Sequence, residues 1–180
     1  FHTGSVFNYD SKHLDGYSWI IDTSASLNVQ NWLVNSKLKN IPNRARAEIA
    51  YKGNLGFLYI EGVHQNPRID DLVNYVYFLG TKINIVSEWL VEENKKNEGN
   101  DYDIVDIGIG CNSPTVIMPN DSMSFHASIF SKILNHEFER KEIAENGFIN
   151  ISYISENGFD INSNSYLVPP FDVFKCCNNS

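Results

Sequence analysis

The stretch that decides the expected fold is Ser18-Trp19-Ile20-Ile21-Asp22-Thr23-Ser24-Ala25-Ser26. The run from Tyr17 to Asp22 is aromatic and β-branched, which predicts a buried strand. The polar residues that follow Asp22 predict a turn. The simplest interpretation of these residues is a buried strand that ends in a polar turn. A second interpretation gives the carboxylate of Asp22 a chemical role.

The chemical interpretation concerns the carboxylate of Asp22. An aspartic protease needs two carboxylates that share one proton, so that one activates water while the other acts as an acid. Each carboxylate follows an apolar strand and opens a turn of the form Asp-Thr/Ser-Gly, whose glycine leaves room for water. A chain of this size supplies one such aspartate, so a working site requires a homodimer.

Other segments before residue 100 add short elements to this strand. Residues 47–51 and 55–60 flank Lys52-Gly53-Asn54 and predict a hairpin. Residues 72–79 predict a further strand that Gly80 stops, and residues 88–96 predict a short amphipathic helix. The basic residues between Lys37 and Arg46 predict a solvated loop.

The second half of the chain begins after a charged stretch, residues 94–103, which is the expected linker. Residues 104–109 and 115–118 predict paired strands. Apolar residues at helical spacing predict a helix over residues 126–146, and Gly147 is expected to end it. Residues 148–154 predict a strand between two Asn-Gly turns.

Three segments resemble the protease region of copia-type (Pseudoviridae) retrotransposon Pol polyproteins. The first, residues 19–26, resembles the motif Trp-Ile-Leu/Ile-Asp-Thr/Ser-Gly-Ala-Ser/Thr. Residues 51–59 are similar to the glycine-containing hairpin of that family, and residues 76–87 to the segment that closes its protease fold. The resemblance covers residues 17–93 and implies a mainly β chain. Its retroviral-type aspartic protease fold would occupy residues 1–99, and a small α+β C-terminal appendage residues 100–180.

The resemblance also implies roles for individual residues. Asp22 would be the catalytic carboxylate, Thr23 would brace the pair, and Gly53, Asn54 and Gly56 would belong to a flap. Ser24 stands where the family has glycine. Its side chain adds bulk beside the carboxylate, and a positive φ there would cost about 1–2 kcal/mol.

Two functions therefore compete, and whether the chain is an enzyme stays open. In the first, the chain is catalytically inactive and acts as a homodimeric protein-interaction module. In the second, it is an active homodimeric aspartic endopeptidase that processes a Gag-Pol-type polyprotein, with Asp22, Thr23 and Ser24 at its catalytic site.

The second half resembles the region of the same polyproteins that contains the integrase zinc module. His126 looks like the second histidine of that module, and Cys176 and Cys177 lie near the expected cysteine pair. Asp121 stands where the first histidine would be, and adjacent cysteines cannot take Cys-x2-Cys geometry. We therefore predict no metal and no cofactor. A weak nucleic-acid-binding remnant of an integrase is the third hypothesis.

Composition limits the partners. The formal charge of −8 comes from 14 Lys+Arg against 22 Asp+Glu, which argues against nucleic acid as a partner. No apolar run approaches the roughly 20 residues that span a bilayer, so we expect no membrane partner. Three cysteines without a disulfide framework favour an intracellular setting, in the cytoplasm or nucleus. A chain that opens on Phe1 is expected to be a fragment or a processed product.

Overall fold

A five-stranded sheet lies at the centre of the molecule. The structure is a computed structural model, and it describes residues 4–8, 11–14, 16–24, 26–36, 42–96, 104–105, 115–116, 118–140, 144–155 and 160–171. The strands are β1 (Trp19–Asp22), β2 (Asn43–Ala50), β3 (Leu55–Ile60), β4 (Ile104–Val105), β5 (Thr115–Val116), β6 (Gly147–Ile154) and β7 (Ile161–Val168). The order in the main sheet is β1-β2-β3-β6-β7, and β4 pairs with β5 separately. β1 runs parallel to β2, and all other neighbours are antiparallel.

Helices cover both faces of this sheet. They are α1 (Leu27–Asn35), α2 (Ile69–Gly80), α3 (Asn84–Lys96) and α4 (Asn120–Glu139). On one face, Phe57 and Tyr59 of β3 join a core with residues of α2 and α3. On the other face, Leu58 and Ile60 pack against Phe130 of α4. Successive residues of a strand point to opposite faces, so the central strand β3 is buried along its whole length.

The fold class is mixed rather than mainly β, which corrects the prediction from the sequence. The predicted strand over residues 17–22 is confirmed by β1, but its predicted burial is wrong, because Asp22 is the only buried residue of β1. The predicted hairpin is confirmed by β2 and β3. The predicted division between residues 99 and 100 lies outside the described residues. The sheet combines strands from both sides of it, because β6 pairs with β3.

The largest error concerns residues 72–79, which form a helix instead of a strand. Its buried residues are Ile69, Leu72, Val76, Leu79 and Gly80, at spacings of three or four with one step between the last two. That spacing places them on one side of a helix, which packs on the sheet. The β-branched and aromatic composition of the segment indicated a strand, but burial follows the helical period.

Two further predictions need correction. Arg44 and Arg46 do not belong to a solvated loop, because both are buried residues of β2; the rest of that predicted loop, residues 37–41, lies outside the described residues. The helix predicted over residues 126–146 runs from Asn120 to Glu139, so Gly147 does not end it. Gly147 begins β6 instead, and a Cβ on it would lie 2.3 Å from Cγ of Pro67. Close packing, not a left-handed turn, requires glycine there.

No helix in the described part of the chain is both long enough and apolar enough to cross a membrane.

Candidate functional site around Asp22

Asp22 is the last residue of β1, and it lies directly opposite Arg46 of β2. Only 7% of its surface is exposed. Its side chain faces α1, where it lines a small void with Gln30 and Leu33. The predicted catalytic carboxylate therefore lies between the sheet and α1.

Both oxygens of this carboxylate accept hydrogen bonds. The backbone N–H and the hydroxyl of Ser24 donate to Oδ1 at 2.9 and 2.6 Å. Nη1 of Arg46 lies 3.3 Å from Oδ2 and forms a buried ion pair. The Ser24 hydroxyl oxygen also accepts from the N–H of Ser26, whose own hydroxyl caps α1. The non-glycine residues with positive φ do not include Ser24, so the expected backbone cost does not arise there.

Arg46 extends this pairing into a network. Its Nε and Nη2 donate to Oε2 of Glu48 at 3.1 and 2.8 Å, because residues two apart on a strand share a face. The hydroxyl of Tyr59, opposite Arg46 on β3, donates to Oε1 of Glu48 at 2.9 Å. Burial, and after it the charge of Glu48, hold the pKa of Tyr59 well above its usual value, which keeps Tyr59 a donor.

This network of hydrogen bonds and ion pairs is suited to stabilising the fold and not to transferring a proton. Each charged group of the network is satisfied by a neighbour of opposite charge or by a donor, as buried ion pairs require. A proton-sharing pair instead needs a carboxylate that faces a second carboxylate and a water molecule. Asp22 faces Arg46 and Ser24.

The structure does not bring the predicted flap to Asp22. Gly53, Asn54 and Gly56 lie around the turn of the β2–β3 hairpin, beyond Ala50. At least four positions of β2 separate that turn from the partner of Asp22, which is about 13 Å of strand. Thr23 lies beside Asp22 but is exposed. Of the predicted catalytic residues, the structure brings only Asp22 and Ser24 into contact.

Two other predicted groups do meet: the flap glycines and the candidate metal ligand His126. His126 is fully buried in the second turn of α4, not at the start of the helix as the sequence indicated. Its Nε2 lies 2.9 Å from the carbonyl oxygen of Gly53, and its Nδ1 lies 2.6 Å from Oγ of Ser152. A Cβ on Gly56 would lie 2.5 Å from that Nδ1, so the ring requires glycine there.

The protonation of His126 follows from these partners. A carbonyl oxygen only accepts, so Nε2 carries the proton and Nδ1 accepts from the Ser152 hydroxyl. Burial lowers the pKa of His126, although the bond to Gly53 opposes that shift. Both nitrogens are therefore occupied by hydrogen bonds. Cys176 and Cys177 lie outside the described residues, within which no three His, Cys, Asp or Glu side chains form a group that could hold a metal ion.

A second buried carboxylate, Glu61, follows β3 and was not predicted as a site residue. Its Oε1 accepts from the N–H of Ile69 at 3.0 Å, while its buried Oε2 has no partner among the described residues. Burial raises the pKa of Glu61 to about 7, although the Ile69 bond and the charges of Arg44 and Arg68 favour the ionised form. The Arg44 guanidinium donates to the Gln65 carbonyl oxygen, in the amide orientation that satisfies both groups.

One pattern in the sequence was a signal for these residues. Arg44, Arg46 and Glu48 alternate with Ala45 and Ala47, which is the period of a strand with one charged face. The alternation indicates the strand, but it does not indicate that the charged face is buried.

Comparison of the chain with models of known protein families gives no match, and a comparison with curated proteins finds none with significant similarity.

Proposed function

We propose that this chain is a catalytically inactive, retrotransposon-derived protein of the aspartic protease type, and that it acts as a homodimeric protein-interaction module. The observation that carries the proposal is the state of Asp22. Its two carboxylate oxygens are engaged by Ser24 and Arg46, and it is 7% exposed.

That geometry supports the loss of catalysis. In a homodimeric protease, two symmetry-related aspartates share one proton and hold a water molecule between them. Here an arginine takes the place that the second carboxylate would need. The hydroxyl of Ser24, absent from the family's glycine, closes over the other oxygen. In this proposal the chain keeps the protease scaffold, and Asp22 forms a structural ion pair with Arg46 instead of a catalytic pair with a second aspartate.

An apolar cleft next to β1 supports the binding role. It has a volume of about 460 Å³ and lies between the sheet and α4. Apolar side chains that line it include Ile21, Ala47, Ile49, Met123 and Phe130. Ile21 and Met123 at its mouth are 42% and 41% exposed. Methionine in such a lining adapts to different apolar partners.

The edge of the sheet beside this cleft indicates the shape of the partner. β1 pairs only with residues 43–46, so the outer side of residues 47–50 of β2 has no strand partner among the described residues. Arg44 turns its carbonyl towards β3, where it accepts from the N–H of Glu61. By alternation, Ile49 turns its N–H and C=O outward. An extended polypeptide with alternating apolar residues would continue β1, pair with this edge and fill the cleft.

The same proposal gives the chain a polypeptide partner in the cytoplasm or nucleus, and no nucleic acid. The net charge of −8 supports the last point.

A cleavage assay tests the catalytic part. The full chain and Asp22→Asn are incubated with a fluorogenic peptide library between pH 4 and 7. We expect no pepstatin-sensitive cleavage by either protein. Cleavage by the full chain that pepstatin inhibits and that Asp22→Asn abolishes would establish the endopeptidase instead.

A binding assay tests the interaction part. Decapeptides selected by display on the full chain are measured against Met123→Glu, which places a charge in the cleft, and Ser128→Glu, which places the same charge on the exposed side of α4. We expect Met123→Glu to weaken binding at least tenfold and Ser128→Glu to leave it unchanged. Equal affinities for the two variants would remove the cleft as the binding site.

A further inference from the structure

The strand β7 forms one edge of the main sheet, and its outer side has no strand partner within the described ranges. Seven of its eight residues are exposed or half-buried. Ile161 is 58% exposed and Leu167 is 64% exposed, although both are large and apolar. Such an edge presents a row of backbone N–H and C=O groups to another chain.

The composition of β7 is unusual for an open edge. Its residues are Ile-Asn-Ser-Asn-Ser-Tyr-Leu-Val, without a charged residue or a proline. Proteins protect exposed edges with lysine, proline or inward-pointing charges, and this strand has none of these. In a chain with a net charge of −8, it is also a segment where two copies meet without opposing like charges.

Symmetry restricts how two copies of β7 can pair. An antiparallel pair of identical strands has its two-fold axis perpendicular to the sheet, so opposite residues must point to the same face. One register places Asn164 on the axis. Ile161 then lies opposite the partner's Leu167, and the same contact recurs at the other end. In the next allowed register, with Ser165 on the axis, Leu167 lies opposite the partner's Ser163 and this apolar contact is lost.

We propose that two copies of this chain pair antiparallel through β7, with Asn164 on the two-fold axis, to form a continuous ten-stranded sheet. This inference rests on the homodimer of the proposed function and names its interface. Ile161 of each copy packs against Leu167 of the other, which removes both side chains from water. The outward backbone N–H and C=O groups of the two β7 strands form hydrogen bonds with each other.

This dimer has a consequence for Asp22. β1 and β7 are opposite edges of the sheet, so nine strand spacings of about 4.8 Å separate the two Asp22 residues. That is about 40 Å, far beyond the distance at which two carboxylates share a proton.

Cysteine cross-linking tests the register. In a protein with Cys111, Cys176 and Cys177 replaced by serine, Asn164→Cys is compared with Asn162→Cys. Opposed residues on the axis have Cα atoms about 4.5–5.5 Å apart, which permits a disulfide. Two copies of residue 162 would be about 13 Å apart, which does not. We expect at least ten times more disulfide-linked dimer from Asn164→Cys. Equal or greater cross-linking of Asn162→Cys would overturn the register.

Light scattering on the otherwise unchanged chain tests the interface independently. Asn164→Asp puts two like charges opposite each other, and Ser128→Asp adds the same charge to the exposed side of α4. We expect a dimer mass for the full chain and Ser128→Asp, and a monomer mass for Asn164→Asp. A dimer that Asn164→Asp leaves intact would overturn the β7 interface but not the homodimer. A monomeric full chain would overturn both.

Discussion

Asp22 and Glu61 are both buried carboxylates close to arginines of β2, but their oxygens differ in how many hydrogen bonds they accept. Asp22 accepts from Ser24 at one oxygen and from Arg46 at the other. Glu61 accepts one backbone hydrogen bond, and its second oxygen is buried without a partner among the described residues. The guanidinium of Arg44, which lies close enough to favour the charged form of Glu61, donates to Gln65 instead.

The difference shows that a nearby arginine does not by itself keep a buried acid ionised. Burial penalises the charged form, and direct hydrogen bonds to both oxygens are needed to offset that penalty. The Asp22 site has a hydrogen-bond donor at each carboxylate oxygen. The Glu61 site lacks one, and the pKa of Glu61 accordingly rises to about 7.

Removal of Arg46 should have the largest effect on the free energy of unfolding. Arg46→Met leaves Asp22 and Glu48 without their shared partner, and the loss of one member of a buried ion pair costs about 3–5 kcal/mol. Chemical denaturation measures the free energy of unfolding. Arg140→Ala is the control, because its pair with Glu137 is at the surface and should cost less than about 1 kcal/mol. Similar losses in the two variants would contradict a structural role for the Asp22–Arg46 pair.

Glu61→Gln should change the pH dependence of stability. The pKa of Glu61 is raised in the folded chain, so its stabilising contribution is present below pH 4.5 and is lost as pH rises towards 7. The slope approaches about 1.4 kcal/mol per pH unit inside this window. Denaturation curves between pH 4.5 and 8 should therefore show the wild-type chain losing about 3 kcal/mol relative to Glu61→Gln.

His126 acts in the opposite sense, because its lowered pKa removes stability as pH falls below 6.5. This contribution is common to the wild-type chain and Glu61→Gln, so it cancels in their difference. Parallel stability curves for the two proteins would show that Glu61 stays ionised in the folded chain.

Thr23→Ala should have the smallest effect. Thr23 is exposed beside Asp22, and loss of its hydroxyl should change the free energy of unfolding by less than about 0.5 kcal/mol. The brace predicted from the protease motif would instead make Thr23 important once the dimer forms. A loss of more than 2 kcal/mol, or of the dimer itself, would support that brace.

Local signals in the sequence predicted some of this fold. β1 and the β2–β3 hairpin follow from apolar runs and from Lys52-Gly53-Asn54. α2 did not follow, because its composition favours a strand while its buried positions repeat with the helical period. β7 gave no apolar alternation at all, since its residues are mainly Asn and Ser and its conformation depends on pairing with β6.

The site was predictable only in part. Asp22 and Ser24 were singled out by the motif, and they do form one unit. The sequence predicts a loop at Arg46, because the role of this residue depends on the parallel pairing of β1 with β2. Glu61 depends on how deeply the start of α2 covers the end of β3. Such contacts join residues far apart in sequence, and no local pattern encodes them.

The distance between the two Asp22 sites in the dimer distinguishes a structural role of Asp22 from a catalytic one. Thr23→Cys, in a chain with its three native cysteines replaced by serine, places a spin label next to Asp22. Dipolar electron resonance then measures the label-to-label distance in the dimer. A structural Asp22 in a β7-paired dimer predicts about 40 Å. A distance below about 20 Å would bring the two aspartates within reach of each other and would contradict the claim that Asp22 is a structural ion pair and not half of a catalytic site.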